Sequence, residues 1–488
     1  MEQRTQVVAK LYAIRTLLVL TGVALLVNYV ETMVIPAVPT IQAYFSSTAT
    51  TASWITSAYL IVGGAVSPLF GKLGDAFGKK KIFLVSLIFY MVGVACAGFS
   101  PSISFLIFAR GLQGIGFAII PLSLSILTDV FPKERLGIAQ GVISATYAIG
   151  AAAGLTVGSY IIQDLGWQYA FHTALILSLV LFFVFAKLIQ RDSSRVKMKI
   201  DYSGAAVLMA GVTLLLVYIT QGPSLGWLSP EEIVIIIVGV VLTILFFALE
   251  SKRTAPLIRL QLLRIRNVLA ANLILLLTTA VMLLFFYAVV YYATNPSTFG
   301  LNLGIIATGL TIAPACVAMI VEGPALGAMM RRTGPKPVLV LGAGLQVIGA
   351  LLFLGFRGTR LDVIIDSVIL LAGTVSLLVS ASNMIATSLP KESISVGFGM
   401  NMIFRNLGGA IGPVAATVIM TTYVGQYFVG GRVTELFFAN STAFNVIAYI
   451  AIILSVIIFA ISLIAENYTF KENISKLSHS PRKLSADG

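Results

Sequence analysis

Long apolar runs, each long enough for a helix to cross a lipid bilayer, organise this chain. The hydrocarbon core of a bilayer is about 30 Å thick and a helix rises about 1.5 Å per residue, so about 20 apolar residues span it. Only 10% of the 488 residues are charged, less than half of the roughly 25% typical of soluble domains, which excludes a soluble protein. The predicted spans, fourteen in number, are 15–38, 52–71, 82–100, 103–127, 137–162, 168–190, 203–221, 232–250, 267–293, 303–330, 335–356, 362–388, 393–422 and 441–465.

The positions of the basic residues support this count, because Lys and Arg accumulate in cytoplasmic loops. With the amino terminus inside, 27 of the 32 Lys and Arg residues fall in inside segments. Arg357, Arg360 and Arg432 fall outside, and Arg110 and Arg405 fall within spans. The asymmetry predicts a multi-pass protein of the cell membrane with both termini in the cytoplasm. It also assigns the net charge of +13 to contact with the bilayer rather than with nucleic acid.

Glycines recur at a nearly constant distance in the two halves of the chain. The matched pairs, first 256 and then 258 positions apart, are Gly71–Gly327, Gly78–Gly334, Lys80–Lys336, Gly141–Gly399, Gly150–Gly408 and Gly154–Gly412. Such a repeat predicts two homologous halves of six spans, with spans seven and eight as an insertion. The expected domains are 1–200, an inserted pair of helices at 201–255, 256–466, and a cytoplasmic polar tail at 467–488.

A glycine-rich basic segment connects spans two and three. Gly71, Gly74 and Gly78 predict a tight turn, and Asp75 offers an anion for a helix start or for a basic side chain. Lys79–Lys81 follow at once. An ion pair that forms in only one of two helix arrangements biases which side of the membrane is open. We interpret the segment as a gating latch; the alternative is a solvated turn.

Two charged residues of the first half lie at matching depths. Glu31 is seven residues before the outer end of span one, and Arg110 is seven residues after the outer start of span four. An intramembrane ionisable residue is costly unless paired, and it indicates function. We therefore predict that Glu31 and Arg110 meet and couple transport to protons, with a further hydrogen bond from Gln113. The alternative is a purely structural ion pair.

A second set of intramembrane polar residues lies in the other half. Glu322 in span ten and Arg405 in span thirteen lie at compatible depths. Glu322 either binds a cation in a central cavity or neutralises Arg405. Candidate substrate contacts with weaker support are Asn383, Asn401 and Asn406, since asparagine also joins membrane helices by hydrogen bonds.

Four segments resemble the major facilitator superfamily, and specifically its fourteen-span drug/proton antiporter branch. They are GKLGDAFGKKK from Gly71, RGLQGIG from Arg110, NYVETMVIPAVPTI from Asn28, and GAAAGLTVGSYI from Gly150. The last segment is similar to a span-five antiporter motif through Gly150, Gly154 and Gly158. It has Leu155 where that motif has proline and Ser159 where it has a second glycine, while Glu31 stands where the branch usually has aspartate.

The resemblance implies two six-helix bundles and two inserted helices. It further implies proton-coupled export of hydrophobic, cationic compounds by alternating access. Alternatives on the same fold are a proton-coupled importer, a lipid transporter and a non-transporting membrane sensor. The sequence contains no phosphate-binding glycine loop, nucleophile triad or paired metal ligands, so we expect no enzyme, cofactor or metal. The expected partners are a small-molecule substrate, protons and lipid, with the chain monomeric.

Overall fold

The structure, a computed structural model, describes residues 2–131, 139, 142–143, 146–147, 149–189, 202–253, 256, 258–389, 394–429 and 432–467. Among these residues, 13 helices are long and apolar enough to cross a membrane. They match every predicted span except the fifth, which confirms an all-helical membrane protein. The fifth predicted span, at 137–162, runs partly outside the described residues, as do Gly141 and the tail beyond Asn467. The count of fourteen spans therefore stays a prediction.

The first half of the chain forms helices α1 to α8. Their bounds are Glu2–Met33 (α1), Val38–Tyr44 (α2), Ala49–Phe77 (α3), Lys79–Gly98 (α4), Ile103–Gly114 (α5), Ile119–Val130 (α6), Ser159–Leu165 (α7) and Trp167–Leu188 (α8). Short 3₁₀ turns at Ile35–Ala37 and Ile115–Ala118 join α1 to α2 and α5 to α6. The described residues between 139 and 165 are called the fifth-span segment; they are helical, with a π-helical turn at Gly154–Gly158.

The rest of the chain continues with helices α9 to α17. Their bounds are Tyr202–Leu225 (α9), Pro230–Lys252 (α10), Leu260–Leu263 (α11), Arg266–Thr294 (α12), Ile305–Thr333 (α13), Pro335–Gly355 (α14), Arg360–Ser388 (α15), Ile394–Thr422 (α16) and Ser441–Ile464 (α17). Each half packs as its own bundle: α3 and α8 lie against α4 in the first half, and α12 lies against α15, α16 and α17 in the second.

Hydrogen bonds between helix ends define two faces of the molecule. On one, the Asn267 side chain donates to the Glu466 carbonyl (3.0 Å) and the Lys80 ammonium donates to the Ala186 carbonyl (2.8 Å). We call it the basic face, because it carries Lys79–Lys81 and Lys336. On the other, called the opposite face, Tyr291 donates to Gln42 (2.7 Å).

The internal repeat predicted from glycine spacing is visible in helix packing. Gly150 and Gly154 approach the Leu25 and Tyr29 carbonyls of α1 so closely that an added Cβ would collide with them. Gly408 and Gly412 approach the carbonyls of Leu276 and Ala280 on α12 in the same way. The contacts of the fifth-span segment with α1 therefore recur 258 positions later on α16 and 251 positions later on α12. Small residues permit such close approach of membrane helices.

The two inserted helices lie across one side of both bundles. Helix α9 packs against α3 and α16, while α10 packs mainly against α9. Ala65 and Leu69 of α3, Phe246 of α10 and Ile403 of α16 share one apolar cluster. At the basic face, the Lys72 ammonium at the end of α3 donates to the Pro256 carbonyl (3.0 Å).

Lys72 lies half-buried at this junction. Burial lowers the pKa of Lys72 below its ordinary value, the nearby Glu250 carboxylate opposes that lowering, and Arg259 adds to it. The Glu250 carboxylate accepts a hydrogen bond from the Ile258 backbone N–H (2.7 Å). The connection after α10 is thus tied to α3 of the first bundle.

A β-hairpin on the opposite face was not expected from the sequence. Strands β1 (Val424–Val429) and β2 (Arg432–Ala439) pair antiparallel between α16 and α17. Asn295, which follows α12, donates to the Ala439 carbonyl (3.1 Å). The sequence analysis did not predict this hairpin, because its two strands are short and lie between long apolar runs.

Candidate functional site

Arg110 is fully buried on α5, with relative exposure of 0%. Its Nε donates to the Ile55 carbonyl (3.0 Å) and its Nη1 donates to Gln113 Oε1 (2.6 Å). The guanidinium also lies 4.4 Å from the ring centre of Tyr59. The hydrogen bond predicted between Arg110 and Gln113 is therefore present. Arg110 Nη2 has no hydrogen-bond partner within the described residues.

Glu31 is buried on α1 with 7% exposure, and its Oε2 has no hydrogen-bond partner among the described residues. The predicted direct ion pair with Arg110 is not formed: none of the ion pairs between described residues includes Glu31. The carboxylate instead lies within electrostatic range of two arginines, Arg405 and Arg110. Matching depth in the membrane predicted one partner from the same half and missed the other, which the second bundle contributes.

Arg405 crosses from α16 to the first bundle. Its guanidinium lies 4.6 Å from the ring centre of Tyr147. Tyr147 and Arg405 are 258 positions apart, the offset that relates the fifth-span segment to α16, so they are equivalent residues of the two halves. A contact between equivalent residues lies at the pseudo-twofold axis between the bundles. Arg405 therefore sits at the centre of the molecule.

Glu31 also has an equivalent residue in the second half of the chain. Met282 is the equivalent of Glu31 at the offset of 251 positions that relates α1 to α12. The Tyr147 hydroxyl lies 4.0 Å from Met282 Sδ. Glu31, Met282, Tyr147 and Arg405 thus form a group around the axis, which we call the axial group. Two of its members, Tyr147 and Met282, were not predicted, although the glycine offset of 258 positions already related Tyr147 to Arg405.

Glu322 is half-buried on α13 and does not meet Arg405. Its Oε1 accepts a hydrogen bond from the Ser376 hydroxyl of α15 (2.8 Å), and its Oε2 has no partner among the described residues. The ion pairs between described residues include neither Glu322 nor Arg405. The compatible depths of Glu322 and Arg405 did not indicate a contact, because Arg405 points across the axis to Tyr147.

The three predicted asparagines have different surroundings. Asn383 donates to the Val379 carbonyl of its own helix (2.9 Å). Asn401 and Asn406 are buried, and the Nδ2 of each has no partner within the described part of the chain. Asn406 lies against Gly64 of α3, where an added Cβ would be 3.0 Å from Asn406 Cβ. Asn406 is thus at the contact between the two bundles.

The predicted latch is organised differently from the expected turn. Helix α3 continues to Phe77, so Gly71 and Gly74 lie inside a helix and the turn is Gly78 alone, with φ +104°. Gly334 repeats this turn with φ +81°, a region that favours glycine. The helix extends because its end lies beyond the apolar span, where polar residues are tolerated. The side chain of Asp75 is outside the described part of the structure.

The three lysines after the turn have separate environments. Lys79 forms an ion pair with Asp129 (2.7 Å) and donates to the Ser125 carbonyl (3.1 Å). Lys80 donates to the carbonyls of Ala186 and Ile189 at the end of α8, as expected for a cation at a helix carboxyl end. Lys81 is exposed. The two lysines thus tie α4 to α6 and α8.

The span-five glycines lie along α1. A Cβ added at Gly158 would lie only 2.6 Å from Met33 Cβ of α1. Gly158 thus continues the row of Gly150 and Gly154 along α1. The π-helical turn begins at Gly154, and π turns within helices are frequent at functional sites. The other side of this turn meets the second bundle: Gly309 of α13 packs directly on the Leu155 carbonyl and on Ser159.

Side-chain hydrogen bonds join the two bundles toward the opposite face. Thr56 and Tyr287 hydroxyls are 2.8 Å apart, the Ser57 hydroxyl donates to the Ala410 carbonyl (2.8 Å), and Gln163 Oε1 accepts from the Ile306 N–H (3.3 Å). Together with the bond between Tyr291 and Gln42, they hold α2, α3 and the fifth-span segment against α12, α16 and α13. The bundles are therefore closed against each other on this side.

One apolar cavity of about 380 Å³ lies away from the axial group, between α1, the fifth-span segment and α8. Leu25, Val157 and Leu177 are among its walls, and Tyr29 and Thr173 are its polar residues. None of the predicted site residues lines it.

The chain matches the family model described as "Major Facilitator Superfamily" over residues 20–413. The chain belongs to the major facilitator superfamily. Solved transporter structures share its fold. A POT family transporter in complex with 5-aminolevulinic acid superimposes with a TM-score of 0.66 at 15% identity. The superposition covers 92% of this chain and 96% of that one.

Curated relatives within the superfamily have export or drug-transport names. The tetracenomycin C resistance and export protein of Streptomyces glaucescens is 27% identical over 427 residues, which cover 85% of this chain and 77% of the relative. The multidrug transporter protein MdtP of Bacillus subtilis is 26% identical over 378 residues, covering 77% and 69%. The chain is a major facilitator transporter of the membrane, as the sequence predicted.

Proposed function

We propose that this transporter exports hydrophobic compounds, cations among them, in exchange for protons. It works as a fourteen-span antiporter with the basic face in the cytoplasm, both termini inside and the cell membrane as its location. The observation that carries the proposal is the position of Glu31. It is a buried carboxylate at the contact between two bundles, within electrostatic range of one arginine from each. The export and multidrug names of the relatives support the direction.

Protonation of Glu31 changes the force between the bundles. Opposite unit charges attract each other even without contact, by less than the roughly 4 kcal/mol of a pair 4 Å apart at an effective dielectric constant of about 20. The ionised carboxylate attracts Arg405 of the second bundle, whereas the protonated acid does not. Because Arg405 belongs to the other bundle, gain or loss of one proton alters which bundle arrangement is favoured. This is the coupling that alternating access requires.

Glu322 supplies the cation preference in this proposal. Its carboxylate is held by one hydroxyl and keeps an oxygen without a partner in the described residues, so it can accept a charged or hydrogen-bonding group of a substrate. Asn401 and Asn406 have donors to offer near the bundle contact. The substrate is a small molecule, and the chain acts as a monomer.

The latch sets the balance between bundle arrangements. Lys79 and Lys80 already tie α4 to α6 and α8, and we assign Asp75 the bond that forms in only one arrangement. Asp75→Asn should therefore leave the protein folded but reduce its outward-open population. Distances between spin labels on the two bundles measure this population, and identical distributions in the variant and the wild type would remove Asp75 from the latch.

Purified protein in proteoliposomes under an imposed pH gradient tests the proposed function. Transport of a hydrophobic cation such as ethidium with proton counterflow supports the antiporter. Proton flow in the same direction as the substrate selects the importer or lipid transporter. Absence of transport across a broad panel of hydrophobic compounds and lipids selects the membrane sensor.

A further inference from the structure

Arg405 has two possible partners in the axial group. One is the ring of Tyr147, on which it lies at 4.6 Å from the ring centre. The other is the Glu31 carboxylate, which lies within electrostatic range and forms no ion pair within the described residues. A guanidinium stacked on a ring is held only by a weak attraction, while an ionised carboxylate in a low-dielectric interior attracts it more strongly.

We infer that Tyr147 is a positioning residue that holds Arg405 whenever Glu31 is protonated. This inference rests on the proposed proton coupling at Glu31 and adds the residue that receives the released arginine. Without such a residue, the half-buried guanidinium would lose its partner within the membrane each time the carboxylate takes a proton. The ring of Tyr147 lowers the free energy of that state, so it favours proton binding.

The position of Tyr147 supports this role independently of the contact distance. Tyr147 and Arg405 are equivalent residues of the two halves, so their contact lies at the axis and joins the bundles. The Tyr147 hydroxyl lies beside Met282 Sδ (4.0 Å), an uncharged residue at the place equivalent to Glu31. The axial group therefore contains one carboxylate and one arginine, and Tyr147 faces the side that lacks a carboxylate.

Other groups that titrate or are charged surround Glu31. Arg110 on α5, Tyr59 on α3 and Tyr90 on α4 are the same in every variant below. Tyr147 on the fifth-span segment and Arg405 on α16 are the residues that the variants change.

The test measures the distance between the bundles as a function of pH without substrate. Spin labels are placed at the exposed positions Asp164 and Ser297 of a protein whose Cys96 and Cys316 are replaced by alanine. Tyr147→Leu removes the ring, so more acid is needed to protonate Glu31. The midpoint of the pH-dependent distance change should move to lower pH by about half a unit to one unit. Tyr147→Phe keeps the ring and loses only the hydroxyl, so it should shift the midpoint much less than Tyr147→Leu does.

A second variant guards against misfolding of Tyr147→Leu. Arg405→Lys keeps the charge but loses the planar group that stacks on the ring, and it should shift the midpoint in the same direction. Combined with Tyr147→Leu, it should add little further shift, because both changes remove one contact.

Three outcomes would overturn the inference. They are an unchanged midpoint in Tyr147→Leu, equal shifts in the Leu and Phe variants, and a distance that does not depend on pH in the wild type. Failure of the proposed function is seen separately, as absence of proton counterflow in the proteoliposome measurement.

Discussion

Glu31 and Arg405 belong to different bundles, so in the proposed function one proton at Glu31 acts on the contact between the bundles. Arg110 is held in place by the Ile55 carbonyl, by Gln113 and by the Tyr59 ring, so it supplies a fixed positive charge. Arg405 lies on the Tyr147 ring. We therefore expect Arg110 to stay in place and Arg405 to respond to the charge of Glu31.

Replacement of Glu31 is the direct test at this scale. Glu31→Gln cannot carry a proton or a charge, so transport driven by a proton gradient should be abolished while substrate binding persists. Glu31→Asp should retain partial activity, because the carboxylate remains on a side chain one methylene shorter. Uphill transport in proteoliposomes and binding by calorimetry measure the two effects. Normal proton stoichiometry in Glu31→Gln would move the coupling site to Glu322.

Glu322 is predicted to distinguish substrates by charge. Glu322→Gln should weaken binding of a cationic compound by at least roughly tenfold, about 1.4 kcal/mol, and should change binding of a neutral compound of similar shape much less. Ser376→Ala is the matched control, because it removes the hydrogen bond to Glu322 but keeps the carboxylate charge. Equal losses for cationic and neutral compounds would show that Glu322 is structural.

Individual site residues were predictable, but their partners were less so. Charges within apolar runs identified the candidate residues, because a charge inside a bilayer is costly and indicates function. These residues are Glu31, Arg110, Glu322 and Arg405. Depth along a helix then predicted partners in the same half. The contact of Arg405 with Tyr147 depends on how the two bundles pack against each other. Residue spacing within one helix gives no information about that packing.

Among the elements, hydropathy predicted the helices well and their ends less well. Helix α3 extends six residues beyond the predicted end at Gly71 because polar residues can continue a helix past the bilayer. The β-hairpin and the π-helical turn were missed, since neither changes the hydropathy of its surroundings. The repeat predicted two inserted helices, and α9 packs on α3 and α16 while α10 packs mainly on α9.

The inserted helices should contribute stability rather than substrate contacts. Phe246 of α10 is fully buried in the cluster with Ala65 and Ile403, so Phe246→Ala should destabilise the protein by about 3–5 kcal/mol. Phe247→Ala is the control, because Phe247 is exposed at 39% and should change stability little. Thermal unfolding in detergent measures both. Substrate affinity should be unchanged in both variants, and a selective loss in Phe246→Ala would place α10 at the substrate site.

At the scale of the whole molecule, closure on the opposite face depends on a few close contacts between bundles. Gly309 of α13 lies directly on the Leu155 carbonyl and Ser159 of the π-helical turn, whose other side carries α1 and Glu31. The same turn therefore touches the helix that holds Glu31 and the helix α13 that closes the opposite face. A change at either contact is expected to reach the other through this turn.

Gly309→Val should prevent closure on the opposite face, because the new side chain would occupy the space of the Leu155 carbonyl. The distance between spin labels at Asp164 and Ser297 should increase, and transport should be lost while substrate binding is retained. Gly344→Val is the matched control, since an added Cβ at Gly344 of α14 meets nothing within 4 Å. If the label distance in Gly309→Val equals that of the wild type, the contact at Gly309 does not control closure. The hydrogen bond between Tyr291 and Gln42 (2.7 Å) is then the next contact to remove.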